Sequence, residues 1–365
     1  MRIAYDHQIF ALQRHGGISR YFAELIQNLE REDDVDPCVI APVYLNEYLL
    51  RPDVQRHVRG HHVDLAFRGN AKVVGAVNSV LLPFCWRAQS FDVIHETYYS
   101  AIRRGRSRVR VLTIYDMIHE LFPQEFPDAE QVTRAKQAAA ERADHVICIS
   151  ATTLRDAVRF LGVPAAKCSV IYLGWSLDAA RVPFDHPGTR PFLLYVGNRN
   201  PYKNFGVLIR AFATSATLRE QFDLVAFGGR EFSQEEKRDL QRAGIATQAY
   251  HVQGNDSVLK ACYSAAAAFV YPSRYEGFGI PPLEAMANDC PVVCSSAGSI
   301  SEVVGDAGAS FEPDDEAQLA SHLERIAVDS AFVESLRRKG ADRIKRYSWA
   351  QCAADTLGTY RRLTG

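Results

Sequence analysis

Residues 271–287 read YPSRYEGFGIPPLEAMA and directly follow the apolar run AAFV at 267–270. This order predicts a buried strand that ends at Tyr271, a loop that carries two glycines, and then a helix. Pro281 and Pro282 suit the first turn of that helix, because proline lacks the N–H that the first turn leaves unused. A strand, a glycine loop and a helix in this order form the repeating unit of an α/β fold with parallel strands.

The same alternation runs through the 365 residues. Apolar runs predict strands at 2–5, 37–41, 93–95, 110–115 and 145–149, and again at 192–196, 224–227, 249–252, 267–271, 291–294 and 309–311. Apolar residues at helical spacing predict a helix over 18–29, between the first two strands. A stretch rich in proline and charge at 178–191 reads as a linker.

These features predict an α/β protein with two Rossmann-like domains that face a central cleft. The predicted limits are 1–180 for the N-terminal domain and 181–345 for the C-terminal domain. A last helix at 346–365 is expected to pack back on the N-terminal domain.

The amino-acid composition limits the classes of function that this protein can have. Hydrophobic residues make up 47% and charged residues 23% of the chain, and the formal net charge is −1. This balance is typical of a globular protein and gives no overall field that would attract nucleic acid. Eight cysteines without a Cys-x-x-Cys pair indicate free thiols in a reducing compartment. The chain enters a strand at once, without a signal segment, and its longest apolar stretch, 73–86, is too short to span a bilayer. We therefore expect a cytoplasmic protein.

Two cations follow the strand at 192–196, in the stretch FLLYVGNRNPYKN. The strand leads to Gly197, and Arg199 and Lys203 lie in the loop beyond it. A planar guanidinium and a flexible ammonium are the groups that hold a diphosphate, and ligands bind at the carboxyl ends of strands in open sheets. The alternative is two solvated cations in a surface loop.

Two carboxylates flank the predicted helix start. Glu276 lies in the loop, and Glu284 is predicted in the first helical turn. Their oxygens would accept hydrogen bonds from sugar and ribose hydroxyls, and the glycines beside Glu276 leave backbone N–H groups accessible. The alternative gives Glu284 a favourable place near the positive end of the helix dipole and leaves Glu276 as a surface residue.

A glycine pair, Gly16-Gly17, lies between the first strand and its helix in QRHGGISR. Such a turn lets backbone N–H groups approach an anion at a helix N-terminus. The pattern lacks the Gly-x-Gly-x-x-Gly spacing and the acidic residue of a dinucleotide site, so such a cofactor is disfavoured. A turn without a ligand is the alternative.

Together these motifs resemble the retaining glycosyltransferases of the GT-B fold, in particular glycosyltransferase family 4. Glu276 and Glu284 match the family's Glu-x7-Glu signature. Further matches come in the family's order, at Gly16-Gly17, Arg199 and Lys203, FGG at 227–229, YPS at 271–273 and SEVVGDAG at 301–308.

The resemblance implies a role for each matching residue. Glu276 would contact the donor sugar and Glu284 the nucleotide ribose. Arg199 and Lys203 would hold the diphosphate and act in catalysis, because charge grows on the leaving group. Backbone groups at Gly16, Gly17 and Gly197 and along Gly277, Phe278, Gly279 and Ile280 would complete the donor site. The anomeric configuration would be retained by front-face attack, without a metal or another cofactor.

The N-terminal half departs from the family pattern. Many relatives have a His-Asp pair after a strand, whereas TIYDMIHE at 113–120 places Tyr115 where that histidine would be. Asp116 and His119 are still predicted to line the cleft, because both follow a strand. A loop histidine without a catalytic role is the alternative for His119. His95 and Glu96 are weaker candidates, and a structural role is expected for this histidine.

Three other motifs have structural explanations. Asp34-x-Asp36 resembles a metal-binding signature but is predicted to be a solvated acidic loop. Ser299 and Glu302 fit a helix capping box. The arginine-rich run at 103–110 and the apolar stretch 73–86 predict either peripheral contact with the inner face of the cell membrane or a solvated basic loop.

The resulting hypothesis is a retaining hexosyltransferase for polysaccharide synthesis that acts on a glycan or a lipid-linked glycan. The runs YDHQIF at 5–10 and GGISRY at 16–21 resemble O-antigen mannosyltransferases, which favours GDP-mannose as the donor. UDP-glucose or another UDP-sugar is the first alternative. A sugar-nucleotide epimerase and an inert sugar-nucleotide-binding protein are the others.

Overall fold

The computed structural model describes residues 1–65, 67, 69–87, 89–177, 179–180 and 182–365. The chain divides into two compact units. The first unit comprises Met1–Gly174 together with Ser348–Gly365, and the second comprises Trp175–Tyr347. Asp178 and Arg181, which fall in the predicted linker and at the predicted domain boundary, lie outside the described residues. The domain limits drawn from the sequence stay predictions.

The two units are built from parallel strands with helices between them. The strands are β1 Arg2–Asp6, β2 Asp36–Tyr44, β3 Val58–His62, β4 Ser90–Glu96, β5 Arg106–Ile114, β6 His145–Cys148, β7 Cys168–Val170, β8 Phe192–Val196, β9 Asp223–Phe227, β10 Ala249–Val252, β11 Ala268–Tyr271, β12 Val292–Ser295 and β13 Gly308–Phe311. The helices are α1 Gln8–Leu12, α2 Gly17–Leu29, α3 Pro52–Gln55, α4 Asn70–Cys85, α5 Ile118–Leu121, α6 Ala129–Arg142, α7 Ala151–Leu161, α8 Phe205–Thr214, α9 Ala216–Gln221, α10 Gln234–Arg242, α11 Asp256–Ala265, α12 Ile280–Ala287, α13 Ile300–Val304, α14 Glu316–Val328, α15 Ser330–Arg343 and α16 Trp349–Thr364.

Each unit contains one parallel sheet. The first has the strand order β3-β2-β1-β4-β5-β6-β7, and the second has β10-β9-β8-β11-β12-β13. In both sheets the chain runs outward to one edge, returns to the middle and then runs to the other edge. The strand order therefore reverses between β1 and β4 and between β8 and β11. Ligands of doubly wound α/β sheets bind at the carboxyl ends of the strands at such reversal points.

The apolar runs form strands because both faces of each sheet are covered. In the second unit β8 reads FLLYV, and its Leu193 and Tyr195 pack with apolar residues of β9, α8 and α14 in one cluster. Phe192 and Leu194 of β8 are buried as well. Strands buried on both faces are continuously hydrophobic. All eleven strands predicted from such runs are present, with ends that differ by up to a few residues. The edge strands of the first sheet, β3 and β7, were not predicted, whereas those of the second sheet, β10 and β13, were.

Helix α16 belongs to the first unit, where it packs against α2. Its Tyr360 is fully buried, and the hydroxyl lies 2.6 Å from Nδ1 of His95 on β4. The other ring nitrogen of His95 lies 2.8 Å from the hydroxyl of Thr113 on β5. His95 is thus a core residue that connects the sheet to the last helix.

Within the described ranges, no helix has both the length and the apolar composition required to cross a membrane.

Candidate functional site

The loops after β8 and β11 meet at one edge of the second sheet, because these strands are neighbours and run parallel. The first loop begins at Gly197, whose φ of 122° is readily adopted only by glycine. The second leads to Gly279, with φ 104°, which precedes α12 as its N-cap residue. The glycines predicted from the sequence therefore shape the two loops at the reversal point of this sheet.

Lys203 and Glu276 form an ion pair across these two loops. Nζ of Lys203 lies 2.7 Å from Oε1 of Glu276, and both side chains are partly exposed. The ammonium also lies near the rings of Tyr202, at 5.1 Å, and Tyr271, at 6.0 Å. Burial raises the pKa of the Tyr271 hydroxyl, and the carboxylate of Glu276 raises it further, so this phenol stays protonated. The structure thus brings together the cation and the carboxylate predicted to hold the diphosphate and the sugar.

Glu284 lies in the second turn of α12, and the prediction of the first turn was wrong. Its side chain is 6% exposed. The hydroxyl of Tyr263 on α11 donates to Oε2 of Glu284 at 3.4 Å. Burial of Tyr263 beside this carboxylate raises the pKa of its phenol well above the ordinary range. Contact between Glu284 and a ribose stays a prediction.

Arg199 pairs with a different carboxylate from Lys203. Its Nε donates to Oε1 of Glu236 on α10 at 2.6 Å, and Nη2 donates to the carbonyl oxygen of Arg230. Two rings flank the guanidinium, Phe205 at 5.7 Å and Phe232 at 4.9 Å. The side chain is 5% exposed. To bind a diphosphate, Arg199 would have to exchange partners that it already has.

A groove of about 750 Å³ lies beside Arg199, along α8 and α10. Four acidic side chains and four arginines contribute to its lining, which comprises Asn198, Arg199, Asn200, Pro201, Asn204, Phe205, Gly206, Ile209, Arg210, Arg230, Glu231, Ser233, Glu235, Glu236, Asp239 and Arg274. Neither Lys203 nor Glu276 lines it. The balanced charge of this groove does not favour a diphosphate. The loop after β8 contributes to its lining, and the place where the donor binds stays a prediction.

Ser299 supports the loop that carries Glu276. Its buried hydroxyl lies 2.8 Å from the carbonyl oxygen of Glu276 and 2.9 Å from that of Phe278, and its N–H also donates to Glu276 O at 3.2 Å. The capping box predicted for Ser299 and Glu302 was wrong, because the Ser299 hydroxyl makes no cap bond to α13. Only the three-dimensional fold brings Ser299 to a loop more than twenty residues earlier in the chain.

In the first unit, Gly16 is the N-cap residue of α2. A Cβ atom there would lie 2.2 Å from Oε1 of Gln13, whereas a Cβ atom on Gly17 would meet nothing within 4 Å. Because the Gln13 amide is the far end of a flexible side chain and could move aside, packing requires a glycine at neither position. The contribution of this pair to the donor phosphates stays a prediction.

Tyr115, which occupies the place of the family's histidine, is a core residue. Its side chain is buried, and its hydroxyl donates to the carbonyl oxygen of Thr97 at 2.9 Å. Burial raises the pKa of this hydroxyl well above the ordinary range, so it does not act as a base near neutral pH.

Asp116 and His119 lie close together after β5, and the negative charge of Asp116 favours a higher pKa of the His119 imidazole. The ring of His119 packs on Phe126 at 4.6 Å, and its Nδ1 is one of the buried atoms that lack a hydrogen-bond partner in the described part of the chain. Burial lowers the pKa of His119, and the nearby charge of Lys136 lowers it further. The imidazole is therefore neutral near pH 7. A catalytic role for Asp116 and His119 stays a prediction.

A buried ion pair beneath these residues was not predicted. Lys136 of α6 is completely buried, and its Nζ donates to Glu120 Oε2 at 2.8 Å and to the carbonyl oxygen of Asp116 at 2.9 Å. The signal in the sequence is a lysine at helical spacing from Ala139 and Ala140 on the buried face of α6. This pair fixes the start of the loop that carries Asp116 and His119.

Glu96 and Arg110 have structural roles. Nη1 of Arg110 donates to Glu96 Oε1 at 2.8 Å, and Nη2 of Arg142 donates to Oε2 at 2.7 Å. Because Arg110 is 2% exposed, it does not belong to the basic patch predicted over 103–110. The exposed cations of that run are Arg103, Arg106 and Arg108.

The Asp-x-Asp sequence lies at the surface. Asp34 accepts a hydrogen bond from Arg361 at 2.8 Å, and Asp36 lies 3.7 Å from Arg2. All eight cysteines belong to the described part of the chain and are free thiols.

Comparisons with known proteins match nearly the whole chain. Residues 15–179 match the sequence model of glycosyltransferase family 4, and residues 178–343 match that of the glycosyl transferases group 1. The O-antigen chain mannosyltransferase B of Escherichia coli is 28% identical over 267 residues, which are 69% of this chain and 70% of that protein. The serotype-specific mannosyltransferase WbdA of Escherichia coli is 23% identical over 333 residues; the match covers 86% of this chain but only 40% of WbdA.

Solved structures share the fold over the full length. A sucrose-phosphate synthase from Thermosynechococcus elongatus has a TM-score of 0.75 at 21% identity, with 99% of this chain and 98% of that chain covered. The Anabaena protein Alr3699/HepE, solved in complex with UDP and glucose, has a TM-score of 0.72 at 18% identity and covers 98% and 99% of the two chains. The two family models together span residues 15–343, and both sheets have the strand order of a Rossmann-like domain. The chain is therefore a glycosyltransferase of the GT-B fold and belongs to the family-4-like group.

Proposed function

We propose that this enzyme transfers mannose from GDP-mannose to a hydroxyl group of a glycan or a lipid-linked glycan in polysaccharide synthesis, with retention of the anomeric configuration. The observation that carries the proposal is the Lys203–Glu276 pair at the reversal point of the second sheet. The relatives named as O-antigen and serotype-specific mannosyltransferases support the choice of mannose. The eight free thiols support a cytoplasmic location.

Donor binding would exchange the partners of this ion pair. Nζ of Lys203 would turn from the carboxylate to the diphosphate, and the carboxylate of Glu276 would accept hydrogen bonds from the sugar hydroxyls. Backbone N–H groups of the loop from Gly277 to Ile280 would add donors for the phosphate oxygens. Every charged group in this exchange keeps a partner.

The same contacts would promote the reaction. When the glycosidic bond to the phosphate breaks, negative charge grows on the leaving diphosphate, and a cation fixed beside it stabilises the transition state more than the ground state. The leaving phosphate oxygen would take the proton of the attacking hydroxyl. This route needs neither a protein nucleophile nor a metal ion.

A UDP-sugar such as UDP-glucose is the second candidate donor. It is supported by the similarity to Alr3699/HepE, which was solved with UDP and glucose. Lys203 and Glu276 would act in the same way on either donor, because the diphosphate and the hydroxyl groups are common to both.

Thermal denaturation with each nucleotide tests the donor. A ligand that binds only the folded state raises the unfolding midpoint, so GDP-mannose is expected to raise it more than UDP-glucose does. The Lys203→Ala variant should lose this shift. Lys345→Ala is the matched control, because Lys345 is an exposed lysine that also pairs with a carboxylate, Asp342 at 2.7 Å.

Product analysis tests the reaction class. With GDP-mannose and a mannose-terminated acceptor, NMR spectroscopy should show a new α-linked mannose. An epimerised nucleotide sugar formed from the donor alone would contradict a transferase.

A further inference from the structure

Helix α4 of the first unit exposes a continuous apolar stripe. Val73, Val77, Val80, Leu81 and Phe84 are between 38% and 68% exposed. Each of these residues lies three or four positions from at least one other of the set, which places them on one side of the helix. We call these five residues the α4 stripe. A contiguous apolar surface of this kind on a folded unit marks a place where a partner or a membrane binds.

The opposite face of α4 fixes the helix to the sheet. Val74 and Leu82 are buried, and Asn78 between them is fully buried. The side-chain amide of Asn78 accepts from the N–H of Val43 at 3.0 Å and donates to its carbonyl oxygen at 2.8 Å. Because the buried face is satisfied in this way, the α4 stripe cannot turn inward without breaking these bonds.

The chain segment that carries the α4 stripe is basic. The sequence contains no aspartate or glutamate from residue 65 through 91, and Lys72 and Arg87 at the two ends of α4 are exposed. Trp86, directly after α4, lines a small cavity together with Ile102 and Arg104. The segment that begins at Ile102 therefore lies next to the end of α4.

This neighbouring segment adds both apolar surface and charge. Ile102 is itself exposed, and so are Arg103 and Arg106. A Cβ atom on Gly105 would lie 2.3 Å from the ring of Trp86, so the segment packs tightly against the end of α4. We call Lys72, Arg87, Arg103 and Arg106 the basic border.

We propose that the α4 stripe and the basic border bind the surface of a bilayer that contains anionic lipids. The apolar side chains would enter the boundary between headgroups and acyl chains, and the cations would contact the headgroup phosphates. With 16 residues α4 is about 24 Å long, less than the roughly 30 Å of a bilayer core, which fits a helix that lies on the membrane.

A second copy of the chain fits this surface less well. In a twofold contact the same patch meets itself, so the basic border of one protomer would face that of the other. Anionic lipids instead complement the border in charge. This inference adds a partner to the proposed function but does not depend on the identity of the donor.

Flotation with vesicles tests the proposal. The enzyme should float with vesicles of phosphatidylcholine and phosphatidylglycerol, less with vesicles of phosphatidylcholine alone, and less at high salt. The double variant Val80→Glu/Phe84→Glu should reduce the bound fraction about tenfold, because two carboxylates would have to enter the apolar layer. Val328→Glu is the matched control, since Val328 on α14 is 76% exposed and belongs to the second unit.

A second variant separates charge from apolar contact. Arg103→Glu/Arg106→Glu should abolish the preference for vesicles with phosphatidylglycerol. The proposal is overturned if the wild-type enzyme does not float, or if Val80→Glu/Phe84→Glu floats as the wild type does. It is also overturned if that variant only converts a dimer to a monomer, measured by light scattering, because the occupant would then be a second copy.

The donor-binding assay distinguishes a failure of the membrane proposal from a failure of the proposed function. Val80→Glu/Phe84→Glu should retain the full thermal shift with nucleotide sugar, which also shows that it folds. If the wild type fails to bind any nucleotide sugar but floats as expected, the proposed function fails and the membrane surface stands.

Discussion

At the scale of residues, Arg199 and Lys203 have different surroundings although the sequence places both in one loop. Arg199 is buried and pairs with Glu236, whereas Lys203 is partly exposed and pairs with Glu276. Removing one partner of a buried pair leaves an uncompensated charge and costs about 3–5 kcal/mol. The two cations should therefore affect stability and donor binding to different extents.

We predict that Arg199→Ala lowers the free energy of unfolding by about 3 kcal/mol. Lys203→Ala should lower it less, by about 1–2 kcal/mol, because the Tyr271 hydroxyl still donates to the Glu276 carboxylate that is left behind. Urea unfolding of the two variants measures both effects. Glu236→Gln should also destabilise the protein, because it leaves Arg199 without its carboxylate. Equal stability of Arg199→Ala and wild type would show that this guanidinium is available to a ligand.

A second residue-scale prediction concerns His95. Burial lowers its pKa to about 3, with a smaller contribution from the charge of His145. The folded state therefore binds this proton less tightly than the unfolded state, whose histidine pKa is about 6.5. The stability that the folded state gains by keeping His95 neutral is therefore complete above about pH 6.5. It is lost progressively as the pH falls toward about 3.

Between about pH 7 and about pH 4, the wild type should lose roughly 3 kcal/mol more stability than His95→Gln does. Urea unfolding at several pH values measures the difference. His61→Gln, which changes an exposed histidine, should leave the pH dependence as it is in the wild type. Parallel pH profiles for wild type and His95→Gln would contradict the buried, neutral state of this ring.

At the scale of elements, the loop that carries Glu276 depends on Ser299 in the loop before α13. We predict that Ser299→Ala raises KM for the donor about tenfold, at a stability cost of about 1–2 kcal/mol for the unmet carbonyl groups. Steady-state kinetics and urea unfolding check the two effects. Ser301→Ala is the control, because its hydroxyl bonds to the carbonyl oxygen of Ser296, away from the Glu276 loop. An equal rise in KM for both variants would contradict this support.

The interior strands and the edge strands β10 and β13 of the second sheet were predictable from the sequence, but the edge strands β3 and β7 of the first sheet were not. The residues of β8, FLLYV, are apolar at every position because the strand is covered on both faces. Strand β3, VRGHH, alternates between exposed and partly buried residues, and β7 has only three residues. Neither carries a continuous apolar run, so neither stands out from a loop.

The residues of the candidate site also fall into those that the sequence predicts and those that it does not. Glu276 and Lys203 were predictable because a glycine loop after a strand marks a ligand-binding edge. The groups that hold these loops, Glu236 and Ser299, come from distant parts of the chain, and Ser299 even fits a different local motif. Their contacts depend on the packing of whole elements, which spacing along the sequence does not encode.

At the scale of the whole molecule, the chain returns to its first unit for its last eighteen residues, Ser348–Gly365. Tyr360 is the anchor, with a buried ring and a hydroxyl bonded to His95. We predict that Tyr360→Ala costs about 3–5 kcal/mol, as expected for a large core side chain. Hydrogen exchange should rise in β4 and β5 but not in β8 and β11. The exposed Arg362→Ala on the same helix is the control, and an equal rise in both units would contradict the assignment of α16 to the first.

The Lys203–Glu276 pair has a consequence for turnover. GDP alone offers Lys203 its phosphates but offers Glu276 no sugar hydroxyl groups in return, so the carboxylate would lose its cation and keep only the hydrogen bond from the Tyr271 hydroxyl. The intact nucleotide sugar would satisfy both. After transfer, Glu276 would therefore compete with the spent nucleotide for the ammonium, which favours release of the product over its retention. A carboxylate predicted to recognise the incoming sugar would in this way also limit inhibition by the product.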